Sequence, residues 1–173
     1  MAHSTNIYKL HLPIKNSHVL VVDDDMTTRT IIRRVLENAG YMVTDTSSGE
    51  EALRVIDANG ISLVLLDIIM PGADGMETLI KLRRKYSMSE LPIIMVTIKG
   101  EDNDITKALS LGANDYIIKP INIAVLRARL ESHLSHKRLE DDLRKAKSEL
   151  EHRVEQRTMR LSELNAQLKD EIV

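Results

Sequence analysis

The chain has 173 residues, a formal net charge of −2 and no Cys, Phe or Trp. Disulfides and thiolate sites are thereby excluded, and no overall basic field points to nucleic acid or anionic lipid. The length accommodates one domain of roughly 120 to 130 residues plus an appendage, with a core of Leu, Ile, Val and some of the 8 Met.

The first 17 residues lack the compact apolar centre of a signal peptide, and residues 1–16 read as a loosely held arm. No apolar stretch approaches the roughly 18 residues of a membrane helix, so a cytoplasmic protein is expected. From position 18 onward, short β-branched runs alternate with segments of helical period. Strands are predicted at 19–22, 41–45, 61–66, 92–97 and 115–118. Helices are predicted at 27–38, 48–58, 74–85 and 102–111, with breaks at Gly40, at Asn59-Gly60 and at Pro71-Gly72. A fifth helix starts after Pro120 and meets no stop signal. Strict βα alternation with short connections favours a parallel sheet covered by helices on both faces.

In such a sheet ligands bind beyond the carboxyl ends of the strands. VLVV runs into Asp23, Asp24 and Asp25, LVLL into Asp67, IIMV into Thr97 and DYII into Lys119. Clustered carboxylates repel, by about 4 kcal/mol for two unit charges about 4 Å apart at an effective dielectric near ~20. A cation is therefore required, and hard oxygen donors without Cys or His suit Mg²⁺ or Mn²⁺. Taken singly, each residue has a plainer role: an acid after a strand caps a helix, Thr97 is a β-branched strand residue, Lys119 is solvated before a turn proline. Asp25 is assigned to capping; the joint placement of the others argues for one site. The glycines at 72 and 75 match neither a dinucleotide nor a P-loop pattern, and the acids at 23–25 lack the alternation of a calcium loop.

The strings VLVVDDD, LVLLDIIMPGADGME, IIMVT and DYIIKP, in this order, with 30 residues from Asp67 to Thr97 and 22 more to Lys119, resemble the signatures of the response-regulator receiver domain of two-component signalling. The resemblance covers residues 17–135. It implies a flavodoxin-like doubly wound α/β fold with a five-stranded parallel sheet of order 2-1-3-4-5. It also implies that Asp67 accepts a phosphoryl group from a sensor histidine kinase or phosphotransfer protein, and that Asp23 and Asp24 bind the metal with it. By the same carry-over Thr97 and Lys119 contact the phosphoryl group and Tyr116 reports its presence. Such a module is not an enzyme beyond accepting and losing its own phosphoryl group. A phosphatase using the same chemistry would commonly carry a second acid where Ile69 stands. Ile98 occupies a position where this family usually has a small residue, and Ile69 and Lys99 stand where side chains are thought to position water. An apolar Ile69 cannot do so, and slow self-dephosphorylation is expected.

Along the C-terminal segment, Leu126, Leu130 and Leu134 share one helical face, whereas Leu139, Leu143, Ala146, Leu150, Val154, Leu161, Leu164, Leu168 and Ile172 form a stripe on nearly the opposite face. The first face is expected to pack on the sheet. The second is expected to pair with another copy as a parallel two-stranded coiled coil over 136–173, with Arg157 as a polar interruption and a stutter near Leu150. A helix from Ile123 to Val173 would run about 75 Å and project beyond the domain. LEHRVEQRTMRLSELNAQLKDEIV resembles the signalling helices that join receiver or sensory modules to their outputs. The expectation is a homodimeric relay whose output lies outside this chain. The alternative is a stand-alone dimeric adaptor whose phosphorylated face recruits a target protein. Acids alternate with the Lys and Arg of 137–160, which marks a solvated flank rather than a nucleic-acid surface.

Overall fold

The computed structural model describes residues 17–70, 75–98 and 102–171. The expected arm at 1–16, the Pro71-Gly72 break with the helix start at Asp74, and Ile172 lie outside the described residues. Ten elements follow one another: β1 His18–Val22, α1 Met26–Asn38, β2 Met42–Thr46, α2 Gly49–Asn59, β3 Leu63–Asp67, α3 Gly75–Arg83, β4 Ile93–Ile98, α4 Asp102–Ser110, β5 Asp115–Lys119 and α5 Ile123–Glu171. All strand pairs are parallel and the sheet order is 2-1-3-4-5, the flavodoxin-like arrangement implied by the sequence resemblance.

The two-residue period of each strand splits the core into two layers. Leu20, Val22, Val64, Leu66, Ile93 and Met95 point to one face, where α2, α3 and α4 supply Ala52, Ile56, Met76, Leu79, Leu82 and Ala108. Val19, Val21, Leu63, Leu65, Ile94 and Ile117 point to the other, against Ile32 and Leu36 of α1 and Leu126, Leu130 and Leu134 of α5. The central strands β1 and β3 are buried on both faces, which is why they read as unbroken apolar runs instead of alternating ones. The three α5 leucines at four-residue spacing are buried, as their common face predicts, and each contributes about 2 kcal/mol on transfer from water.

The first helix starts after the cap assigned to Asp25, and the second starts one residue later than expected, with Ser48 as its cap. Asp25 accepts from the backbone N–H of Thr27 and Thr28 and so caps α1, and Ser48 accepts from Glu51 to cap α2. The third helix stops two residues earlier than its apolar period indicates, because Arg83 turns inward and collects the chain around it. Its Nε donates to the Gly112 carbonyl at 2.6 Å, Nη1 to that of Leu91 at 3.0 Å and Nη2 to Asn114 Oδ1 at 2.8 Å. Asn114 in turn accepts from the N–H of Ile93 at 2.9 Å and donates to the Met88 carbonyl at 3.0 Å. Gly112 has a φ of +99°, and a Cβ there would press on the Arg83 side chain at 3.1 Å. Burial pushes the Arg83 guanidinium down to about 10, leaving it charged at neutral pH. One partly buried cation thus staples α3, the approach to β4 and the approach to β5 at the end of the sheet opposite the strand carboxyl termini.

Asp115 at the start of β5 accepts from Arg129 Nη1, from the N–H of Tyr116 at 2.8 Å and pairs with His133 Nε2 at 3.2 Å, tying β5 to the first turns of α5. By its contacts the chain divides into two compact units, residues up to Lys137 and residues from Arg138 onward. In the second unit Leu139, Leu143, Leu150, Val154, Leu161 and Leu164 are all exposed. Pairs such as Arg144–Asp141 at 2.6 Å and Arg153–Glu149 at 2.5 Å flank them. Among the described residues no helix is long and apolar enough to cross a membrane.

Two stability tests follow from these ties. Arg83→Met should cost about 3 kcal/mol through the loss of several charge-assisted hydrogen bonds and lower the thermal midpoint by roughly 10 °C, with Arg83→Lys giving little rescue because an ammonium cannot span the same acceptors. Burial pushes the Asp115 carboxyl up, but Arg129, the Tyr116 N–H and His133 outweigh it and leave its pKa lowered. A lowered carboxyl stabilises the fold above the ordinary Asp value of about 3.9, and this contribution disappears as pH falls through the folded value. In urea melts, Asp115→Asn should therefore be less stable than wild type by about 1 kcal/mol at pH 7, given the partial exposure of the pair, and the gap should close in acid.

Candidate functional site

Three of the five strands deliver a charged side chain to one point at their carboxyl ends. The parallel register sets Val22 beside Leu66 and Asp67 beside Val96, so the residues that leave β1 and end β3 are neighbours. Asp23 is 2 % exposed and Asp67 is 3 % exposed. Lys119, the last residue of β5, reaches both: its Nζ donates to Asp23 Oδ2 at 2.8 Å and to Asp67 Oδ2 at 2.5 Å. The Lys119–Pro120 peptide is cis. Asp23, Asp24 and Asp67 each offer an oxygen within 4.8 Å of the others, with Asp24 on the exposed rim. Asp25, assigned to capping from sequence, turns away to α1.

The remaining oxygens are held by backbone. Asp67 Oδ1 accepts from the Ile69 N–H at 3.2 Å, and Asp23 Oδ1 accepts from the Asp25 N–H at 2.8 Å. Burial pushes the Asp67 carboxyl up; the hydrogen bond and charge of Lys119 oppose this, the nearby Asp23 reinforces it, and the net direction is upward. On Lys119 the order of effects differs, since burial pulls the ammonium down but the pairs with Asp23 and Asp67 win and raise it. The two directions fit one picture. Two buried acids share one cation, a shortage of positive charge at the site, with the lysine raised and the Asp67 carboxyl raised as well. A multivalent cation at the three clustered oxygens would relieve that deficit, and hard oxygen donors with room for water suit Mg²⁺ or Mn²⁺.

Thr97, at the same end of β4, is fully buried, and its hydroxyl donates to the Ile98 carbonyl at 3.3 Å. Tyr116 pairs in register with Met95, two residues before Thr97, so Tyr116 and Thr97 are diagonal neighbours on one face of the sheet. The Tyr116 ring packs partly buried against the core, with the Arg129 guanidinium 5.6 Å from its centroid. The structure thus joins Asp23, Asp67 and Lys119 directly, sets Asp24 beside them, and leaves Thr97 and Tyr116 bonded to neighbours of their own. Ile69 and Ile98 flank Asp67 in the sequence and along β4, at 48 % and 53 % exposed. Lys99 lies outside the described residues. Beside the site, an apolar groove of about 370 Å³ runs between α1 and the β5–α5 connection, lined by Ile31, Ile32, Lys119, Pro120 and Ile121.

Two residues that matter here carry no signal in the one-dimensional pattern. Gly75 opens α3 directly against the nucleophile candidate: a Cβ there would lie 2.0 Å from the Asp67 carbonyl oxygen and 2.9 Å from the Ile68 Cα, both rigid backbone. Arg29 of α1 donates through Nη1 to the carbonyls of Asp23 at 2.6 Å and Asp24 at 3.0 Å. The PGADG string marked a turn but not which glycine must stay bare, and Arg29 looks like any polar residue of an amphipathic helix.

Residues 19–131 match the response regulator receiver domain. The chain is 40 % identical over 122 residues to the transcriptional regulatory protein YvrH of Bacillus subtilis (strain 168), a match covering 70 % of this chain and 50 % of that protein. It is similar in structure to a CheY-like response regulator receiver domain protein from Methanospirillum hungatei JF-1. That likeness has a TM-score of 0.68 at 29 % identity and covers 73 % of this chain and 99 % of the other. A probable two-component system response regulator/GGDEF domain protein matches with a TM-score of 0.68 at 32 % identity, covering 70 % of this chain and 50 % of that one. The chain thus spans about half the length of the curated relatives it matches. With its sheet order, its paired acids and its bridging lysine in place, this chain belongs to the response regulator receiver domain family.

Proposed function

We propose that Asp67 is a phosphoacceptor, taking a phosphoryl group from a histidine of a sensor kinase or phosphotransfer protein, and that the change passes along a dimeric C-terminal helix to an output. The observation that carries this reading is the Lys119 ammonium shared by Asp23 and Asp67 at the carboxyl ends of β1, β3 and β5. The receiver comprises residues 17–135 and the signalling helix residues 136–173.

In the transfer, an Asp67 carboxylate oxygen attacks phosphorus, the phosphorus–nitrogen bond to the donor imidazole breaks, and its electron pair stays on the nitrogen, which takes up a proton. Such a reaction asks the protein for positioning and for charge to meet the equatorial oxygens. Mg²⁺ or Mn²⁺ held by Asp23, Asp24 and Asp67 would supply most of that charge. Lys119 exchanges its Asp67 carboxylate for a phosphoryl oxygen without leaving Asp23. Thr97 turns its hydroxyl from the Ile98 carbonyl toward the phosphoryl group, and the space it vacates is open to Tyr116, its diagonal neighbour. Movement of Tyr116 would disturb Arg129 and hence the Asp115 tie to α5.

The exposed leucine stripe beyond residue 138 supports the homodimer, since an apolar stripe sustained over several heptads is stable when another helix covers it. The related proteins carry different functions in their printed names, a transcriptional regulator in one case and a GGDEF domain protein in another. The receiver therefore acts as an input whose output is a separate module, and the catalysis, if any, belongs to that module.

Three outcomes check this reading. With a small-molecule phosphodonor and Mg²⁺, wild type should gain one acid-stable, hydroxylamine-labile phosphoryl group by mass spectrometry, and Asp67→Asn or removal of the metal should abolish it. Because the Ile69 side chain offers no hydrogen bond to an attacking water, the phosphoryl group should persist in the purified protein, and Ile69→Asn should shorten its lifetime several-fold; a wild-type half-life of seconds would overturn the first part. Light scattering should give a dimer for the whole chain, and the double substitution Leu150→Ser with Leu161→Ser should give a monomer whose receiver still accepts phosphate.

A further inference from the structure

Asp23 and Asp24 leave the sheet where its hydrogen-bond ladder ends. The last pairs of β1 are Val22 with Thr46 of β2 and Val22 with Leu66 of β3. Beyond them the Asp23 N–H finds a strand partner, the Thr46 carbonyl at 3.3 Å. The carbonyl of buried Asp23 needs another donor, because a buried backbone oxygen left without one is costly, and that of Asp24 lies beside it on the exposed rim. A single side chain supplies both. Arg29 Nη1 lies 2.6 Å from the Asp23 oxygen and 3.0 Å from the Asp24 oxygen, while its Nε donates to Asp45 Oδ2 on β2 at 3.1 Å. The Arg29 side chain is only 14 % exposed, and Asp45 is held in turn by Arg33.

This arrangement controls direction. Capturing two successive carbonyls fixes two successive peptide planes, and with them the course of the backbone that aims the Asp23 and Asp24 carboxylates. Mg²⁺ demands near-ideal octahedral geometry and tolerates misplaced oxygens poorly. The planar fork of a guanidinium holds several acceptors at fixed angles, which an ammonium cannot imitate. The bridge to Asp45 matters equally, since it ties the fork to β2, an element that contributes no oxygen to the site.

We propose that Arg29, anchored by Asp45, is a positioning residue for the divalent cation: it orients the acidic loop so that Asp23 and Asp24 present their oxygens with Asp67. The inference rests on reading that cluster as the metal site. It makes a prediction opposite in sign to simple electrostatics. A guanidinium near the site repels a cation, so charge alone requires Arg29→Met to bind Mg²⁺ more tightly, whereas loss of positioning requires weaker binding.

The test is Mg²⁺ titration calorimetry on the full chain, with thermal melts in chelator to follow the fold. Wild type should bind Mg²⁺; Arg29→Met and Arg29→Lys should both bind about ten-fold more weakly, the usual effect of losing a residue that orients metal ligands, and Asp45→Ala should weaken binding in the same direction. Equal or tighter binding by Arg29→Met, or full rescue by Arg29→Lys, overturns the proposal. Should Arg29→Met not fold, Arg29→Lys and Asp45→Ala decide, and wild-type affinity in either overturns it. Failure of wild type itself to bind Mg²⁺ overturns the metal reading on which the proposal stands, a result distinct from a normal wild type with unaffected variants.

Discussion

Two aspartates almost sealed from water share one lysine ammonium, and the rest of the domain is arranged so that they must. Asp23 and Asp67 lie at 2 % and 3 % exposure at the ends of adjacent strands, and Lys119 Nζ contacts an oxygen of each. Burial, reinforced by the nearby Asp23, leaves the Asp67 carboxyl raised despite Lys119, while burial of the lysine is outweighed by its pairs with both acids, which raise it. The site is short of positive charge, a deficit that a divalent cation at the three clustered oxygens would meet. The sheet order creates the condition: β1 and β3 are central and adjacent, so their carboxyl ends cannot be separated without breaking the layer of Val19, Val21, Leu63 and Leu65 beneath them.

Around this pair the packing leaves little freedom. Gly75 lets α3 start against the Asp67 carbonyl, where any side chain would collide with backbone. Arg29 binds the carbonyls of the acidic loop from the opposite side. At the far end of the sheet, Arg83 performs a purely architectural task with the same chemistry, a guanidinium gathering carbonyls that no ladder can satisfy. In both places arginine is suited because it offers several donors in a plane and stays charged when partly buried. The face bearing Thr97, Tyr116 and Arg129 is less constrained. Among the described residues Thr97 donates to its neighbour's carbonyl, and Tyr116 lies between core and guanidinium.

The final helix shows how one periodicity can serve two purposes. Leu126, Leu130 and Leu134 complete the core layer over β1, β3, β4 and β5, while Leu139, Leu143, Leu150, Leu161 and Leu164 stay exposed and are lined by ion pairs along the same helix. Exposed ion pairs of this kind contribute little to stability. They lie beside an apolar stripe that stays exposed along the same helix.

Much of this was legible in the residues themselves. Alternation of apolar runs with helical periods marked every strand and helix, because the two periods reflect backbone geometry and not context. Asp25 announced its cap, and the ordered strings around Asp23, Asp67, Thr97 and Lys119 carried the family and the sheet order. The four-residue leucine spacing separated the buried face of α5 from the exposed one. Tertiary structure alone decided which acids are bridged by Lys119, why α3 ends at Arg83, why Gly75 must lack a side chain and that Arg29 holds the acidic loop. Those contacts join residues distant in the chain, or turn on a clearance of a few ångströms between backbones. Local sequence pattern specifies the period and capping of each element, but such distances exist only after the elements have packed.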